Sequence, residues 1–149
     1  MMAGCIGLAG CGKDEIQLPS QPLQGKVGGQ EWRSELAGAF RISTNSFFQI
    51  RFLSDEEIVR DPCTLPAPGR PHVKAIFRPA TGDFTVSPQA IDENQVLVAF
   101  EVSPSIILTA SGGFMSIYDI NNSVIFGYLE AILDDDNTVK GRFQIRLCN

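Results

Sequence analysis

Histidine is nearly absent from this chain, His72 being the single one among 149 residues. The four cysteines, Cys5, Cys11, Cys63 and Cys148, include no tight pair. Together these absences exclude a zinc site built from His and Cys alone, and no cofactor or metal is expected. Basic residues are outnumbered, 12 Lys and Arg against 17 Asp and Glu, which gives a net charge of -5 and an isoelectric point near 4.8. Phosphate contacts need clustered cations, and here the cations are scattered singly, so nucleic acid is excluded as a partner. An anionic lipid surface is disfavoured as a direct partner for the same reason. No stretch reaches the run of about 18 apolar residues that a transmembrane helix needs. Phosphate-binding loops, dinucleotide fingerprints and a Gly-x-Ser-x-Gly elbow are also missing.

What is present is the composition of an ordinary globular domain, 44% hydrophobic and 19% charged, long enough to bury its own core without a structural metal. From Leu23 onward the hydrophobic period is two rather than 3.6. Trp32, Leu36, Phe40 and Ile42 share one parity. Phe48, Ile50 and Phe52 alternate with Gln49 and Arg51, and Val73, Ala75 and Phe77 with Lys74 and Arg78. Val96, Val98, Phe100 and Val102 form a strong run with Glu101 opposite. Ile106 to Ala110 and Phe114 to Ile120 flank Gly112-Gly113, a two-glycine hairpin signal. Val124 to Leu133 and Thr138 to Cys148 read as a final antiparallel pair joined by Asp134-Asp135-Asp136-Asn137. In the last strand Val139, Gly141, Phe143, Ile145 and Leu147 face the core while Lys140, Arg142, Gln144 and Arg146 face water. No ten-residue segment has helical periodicity. The pattern predicts an all-β domain, an antiparallel β-sandwich of about eight or nine strands, with a closed calycin-like β-barrel as the alternative.

Candidate chemistry is sparse. The run Asp134 to Asn137 offers oxygens for calcium, but it lacks the spacing and distal Glu of a calcium loop and reads as a charged hairpin turn. His72 follows the proline-rich Asp61–Pro71 loop, and nothing nearby marks an activated nucleophile, so it reads as a strand-entry residue. Glu101 and Glu130 lie in apolar strands and read as outward-facing charges. The proline-stiffened loop is either a preorganised recognition surface or a rigid connector.

Residues Leu8-Ala9-Gly10-Cys11 resemble the lipobox of bacterial lipoproteins. The resemblance implies cleavage before Cys11 and lipid attachment to it, with several acyl chains giving a stable membrane anchor. Only ten residues precede Cys11, too few for a full export signal, so the expectation includes a start further upstream. Gly12 in place of an inner-membrane retention Asp favours the outer membrane. On this reading residues 1–10 are the remnant of a signal peptide. Residues 11–22, punctuated by Pro19 and Pro22, are a polar tether, and residues 23–149 are one β domain. The opening Gly25-Lys26-Val27-Gly28-Gly29-Gln30-Glu31-Trp32 is similar to the first hairpin, Gly-x-Val-x-Gly-x-x-Trp, of poorly characterised bacterial lipoprotein domains. That likeness implies a β fold and export and carries over no catalytic residue.

If Cys5 leaves with the signal and Cys11 is acylated, Cys63 and Cys148 remain and are expected to pair in an oxidising compartment. Closing so long a loop stabilises by about 4–5 kcal/mol on the chain-entropy model. Against this pairing, Cys148 shares the outward parity of Arg142 and Arg146 unless the strand end turns. The expected function is that of a non-enzymatic binding or structural module of the cell envelope, meeting the membrane through its anchor and an envelope protein or glycan through its domain. The alternatives are a lipocalin-like carrier of a small apolar ligand and, further off, a hydrolase.

Overall fold

The computed structural model describes residues 21–34, 36–42, 47–56, 63, 70–89, 94–121 and 123–148. The lipobox, Cys11 and most of the tether lie outside these residues. The described residues form eleven strands and no helix: β1 (Leu23–Val27), β2 (Gln30–Ser34), β3 (Leu36–Ile42), β4 (Phe47–Leu53), β5 (His72–Phe77), β6 (Gly82–Val86), β7 (Gln95–Ser103), β8 (Ile106–Thr109), β9 (Gly112–Ile120), β10 (Val124–Asp134) and β11 (Asn137–Leu147).

These strands form one eleven-stranded sheet made of two antiparallel parts, a smaller and a larger sheet. One runs β3-β4-β5-β7-β8 and the other β6-β9-β10-β11-β1-β2. Two short parallel seams join them. Thr85 and Val86 of β6 pair with Gln95 and Val96 of β7, and Arg146 and Leu147 of β11 pair with Gly38 and Ala39 of β3. The pairing circuit therefore runs nearly all the way round, in a mixed, barrel-shaped sheet. The all-β class follows from the period-two pattern. Of the two expected arrangements, the seams turn what would be the open sides of a sandwich into the near-closed wall of a barrel.

Alternation along each strand sends one parity inward. In β11, Val139, Phe143 and Ile145 are buried while Lys140, Arg142, Gln144 and Arg146 are exposed, as the sequence pattern requires. Phe52, Phe77, Phe100, Ile50 and Leu129 are fully buried. Ring contacts tie the two sheets across the interior. Phe77 meets Phe84 at 5.4 Å and Phe52 meets Phe143 at 5.1 Å, while Phe77 also meets its own ladder partner Phe48 at 6.1 Å, all edge-on, a favoured aromatic geometry.

The β1–β2 hairpin closes one end. Its two-residue turn, Gly28-Gly29, has φ of +62° and +78°, the signature of a type I′ turn, which side chains other than Gly, Asn or Asp resist. Gly28 also lies so close to β7 that a Cβ would stand 2.6 Å from Val102 Cγ1. Gly28 N donates to Asn137 Oδ1 at 2.8 Å and Gly29 N to the Asp136 carbonyl at 2.9 Å. From the other strand, Trp32 is buried and donates from Nε1 to the Pro71 carbonyl at 2.8 Å. The hairpin is thus pinned to β11 on one side and to the entrance of β5 on the other.

The Gly112-Gly113 hairpin expectation is corrected here. Both glycines lie inside β9, whose partners are β10 and β6, and β8 pairs only with β7. Gly113 is a place of close backbone approach, since a Cβ there would collide with the Glu130 carbonyl. The glycine pair that does turn a hairpin is the earlier one. Asp134 to Asn137 is a hairpin turn as expected, with Asp134 paired to Asn137 and Asp134 Oδ1 accepting from Asp136 N at 3.0 Å.

Candidate functional site

The outer surface of the larger sheet carries a continuous cross-strand row. Arg33 on β2 lies opposite Gln24 on β1, Gln24 opposite Lys140 on β11, Lys140 opposite Glu130 on β10, Glu130 opposite Phe114 on β9, and Phe114 opposite Thr85 on β6. Residues so paired project from the same face. Five strand spacings separate the ends of the row, about 24 Å.

At the hairpin end the row forms the floor of an open groove of about 450 Å³. Gln24, Glu31, Arg33 and Lys140 supply the floor, and the turn Ser54-Asp55-Glu56 after β4 supplies a wall. That wall is held in place. Asp55 N donates to the Arg33 carbonyl at 2.8 Å, Arg33 Nε stands 3.6 Å from Asp55 Oδ2, and Glu56 N donates to Ser54 Oγ at 3.2 Å. Arg70 Nη1 meets Glu56 Oε1 at 3.3 Å and draws the two ends of the proline-rich connection together.

In the middle of the row the character changes to aromatic. Phe114 and Tyr128 stack with centroids 5.5 Å apart and ring planes 27° from parallel. Tyr128 donates to Glu130 Oε1 at 3.4 Å. Burial holds the Tyr128 phenol above its ordinary value of 10.0, and the Glu130 carboxylate pushes it the same way. Beside them, Ser116 Oγ donates to Asp83 Oδ1 at 2.7 Å, and Tyr118 stands exposed.

Comparison with protein-family models, curated proteins and solved structures finds no match for this chain. The site therefore rests on its own geometry.

The residues singled out from sequence fall as follows. Cys63 and Cys148 are joined in a disulfide with Cα atoms 5.4 Å apart. Cys148 lies one residue past the end of β11 and is buried, so its outward parity does not prevent the pairing. The bridge ties the residue that follows β11 to the connection between β4 and β5. His72 is buried at the start of β5. Its Nε2 is 3.1 Å from Glu101 Oε1, and Lys74 Nζ pairs with the other oxygen of Glu101. Its Nδ1 lies 3.4 Å from the Arg70 carbonyl. Burial lowers its pKa below 6.5, and Glu101 and the Arg70 carbonyl partly offset that. Among the described residues no group of His, Cys, Asp and Glu is arranged to hold a metal ion, the Asp134–Asn137 turn included. Most of the Asp61–Pro71 loop lies outside the described residues.

Gln24, Arg33, Asp55 and Lys140 were not singled out from sequence. Strand parity shows that Lys140 and Arg33 face water, but the register that aligns them across three strands is a tertiary fact. The one local signal was the Gly-x-Val-x-Gly-x-x-Trp hairpin, which fixes the orientation of Gln24 and Arg33.

Proposed function

We propose that this chain is an exported, lipid-anchored protein of the bacterial cell envelope, held at the outer membrane through Cys11, whose β domain is a non-enzymatic binding module. The outer face of the larger sheet is its binding surface. The observation that carries this reading is the row Arg33–Gln24–Lys140–Glu130–Phe114, which sets a preformed polar groove beside an aromatic step on one rigid floor. A site built on paired strands loses little freedom on binding, because its floor is already ordered. Two further observations support the reading over its alternatives. The side chains facing the interior pack ring against ring, which suits a core better than an apolar carrier. The sole histidine is buried with its ring against Glu101 and the Arg70 carbonyl, which suits a structural role better than a general base.

The test is recovery of an envelope component. The full chain, immobilised, is passed over solubilised envelope, and the bound fraction is compared with that on a Gln24→Ala/Lys140→Ala variant. Both positions are exposed, so the fold is expected to be unchanged. The wild type is expected to retain an envelope component that the variant loses. Equal recovery by the two would remove this face from the function.

A further inference from the structure

The composition of the groove narrows its ligand, on the reading that this face is the binding surface. We infer that the groove takes a neutral, polyhydroxylated chain, that is, a linear uncharged or N-acylated glycan, laid across the strands from Arg33 toward Phe114.

Charge is the first argument. The groove holds Glu31, Asp55 and Glu56 against Arg33 and Lys140, and Arg33 and Asp55 already stand as a pair. Neither sign prevails strongly enough to select a phosphate or a polyanion, nor a polycation.

Hydrogen-bonding capacity is the second. Gln21 and Gln24 each offer both donors and acceptors, the carboxylates accept, and the guanidinium and ammonium donate. Hydroxyl groups donate and accept at once, so a sugar ring satisfies such a mixed lining, whereas an apolar ligand leaves it unpaired.

The third argument separates a glycan from a protein. An extended peptide would add to a free sheet edge through its backbone. The β2 edge beside the groove is taken at Arg33, whose carbonyl accepts from Asp55 N at 2.8 Å. Recognition in the groove is therefore by side chains. The most exposed large apolar side chains, Ile106, Ile107, Tyr118 and Ile132, are spread over β8, β9 and β10 rather than gathered on the groove.

The fourth is the shape of the face. A linear chain leaving the groove along the row passes Glu130 and reaches Phe114, half-buried and stacked on Tyr128. An aromatic face at that point offers the apolar side of a sugar ring a contact that the groove itself lacks.

The experiment is a glycan array probed with the full chain, followed by titration calorimetry of the best neutral hexasaccharide. The expected result is saturable binding to neutral or N-acylated linear chains, insensitive to salt. Gln24→Ala/Lys140→Ala should weaken it by about tenfold or more, roughly 1.4 kcal/mol, without altering the urea midpoint. Phe114→Ala should weaken hexasaccharide binding more than disaccharide binding. Binding only to sulfated or otherwise polyanionic glycans overturns the inference, as does binding unchanged in the groove variant. An array with no signal also overturns it. If envelope recovery then still depends on Gln24 and Lys140, the binding face stands and only the ligand class falls. If that dependence is lost too, both fall.

Discussion

His72 and Glu101 stand directly opposite one another in the β5–β7 ladder, with Nε2 and Oε1 3.1 Å apart on the outer surface of the smaller sheet. Lys74 reaches the same carboxylate, so one acid serves two bases at the entrance of β5, next to the Pro71 carbonyl that accepts from Trp32.

Acid should weaken the fold through the buried His72 ring. Burial is the largest influence on the His72 ring and lowers its pKa from 6.5, and Lys74 and Arg51 act in the same direction against Glu101 and the Arg70 carbonyl. With the folded value below the unfolded one, the unfolded chain takes up the proton first. The stability is then complete above about pH 6.5 and is lost as the pH falls below that value. Urea midpoints measured at pH 7.5 and 5.5 should fall more for the wild type than for His72→Gln. Parallel pH profiles in the two proteins would exclude His72 as the source.

The disulfide should carry a large share of the stability. Cys63 and Cys148 close a loop with a sequence separation of 85, for which the chain-entropy model gives about 4–5 kcal/mol. Peptide mapping without reductant should recover a Cys63–Cys148 peptide from exported protein. Cys63→Ser/Cys148→Ser should lower the unfolding free energy by roughly that amount, and hydrogen exchange should rise first at Arg146 and Leu147, the end of β11 next to the bridge.

The end-closing hairpin depends on two residues of different kinds. Trp32→Ala removes a buried indole and its bond to the Pro71 carbonyl, with an expected cost of about 3–5 kcal/mol. Asn137→Ala removes a buried side chain that accepts from Gly28 N and donates to Asp134 Oδ1, with an expected cost of about 1–3 kcal/mol for the two bonds together. Denaturation of the two variants would show the order Trp32 above Asn137. The reverse order would mean that the hairpin is held chiefly at its turn.

The anchor is tested by metabolic labelling. Labelled palmitate should enter the protein when it is exported through a signal ahead of Cys11, and Cys11→Ala should abolish incorporation. Labelling that persists in the variant would remove Cys11 as the attachment point.

Much of the architecture is legible in the residues themselves. The alternation Val139, Gly141, Phe143, Ile145 against Lys140, Arg142, Gln144, Arg146 states both the strand and its buried side. Val96 to Phe100 and Phe48 to Phe52 do the same for β7 and β4. The near-closure was less legible, because it depends on two seams of two residue pairs each, and nothing in a strand's own pattern names its lateral neighbour. Gly112-Gly113 misled for a related reason. Paired glycines serve equally for a tight turn and for close approach of two backbones, and only the neighbour at Glu130 decides between them. The candidate face was the least legible part. Its row crosses six strands drawn from both ends of the chain, so no window of sequence contains it.

Among the described strands β11 alone touches β10, β1 and β3, and it is the last of them in chain order. Until Asn137 to Leu147 are made, β10, β1 and β3 each keep one edge open, although β1 already has β2 beside it. Contacts of such long range form slowly and late. The larger sheet therefore closes late, when Lys140 arrives beside Gln24.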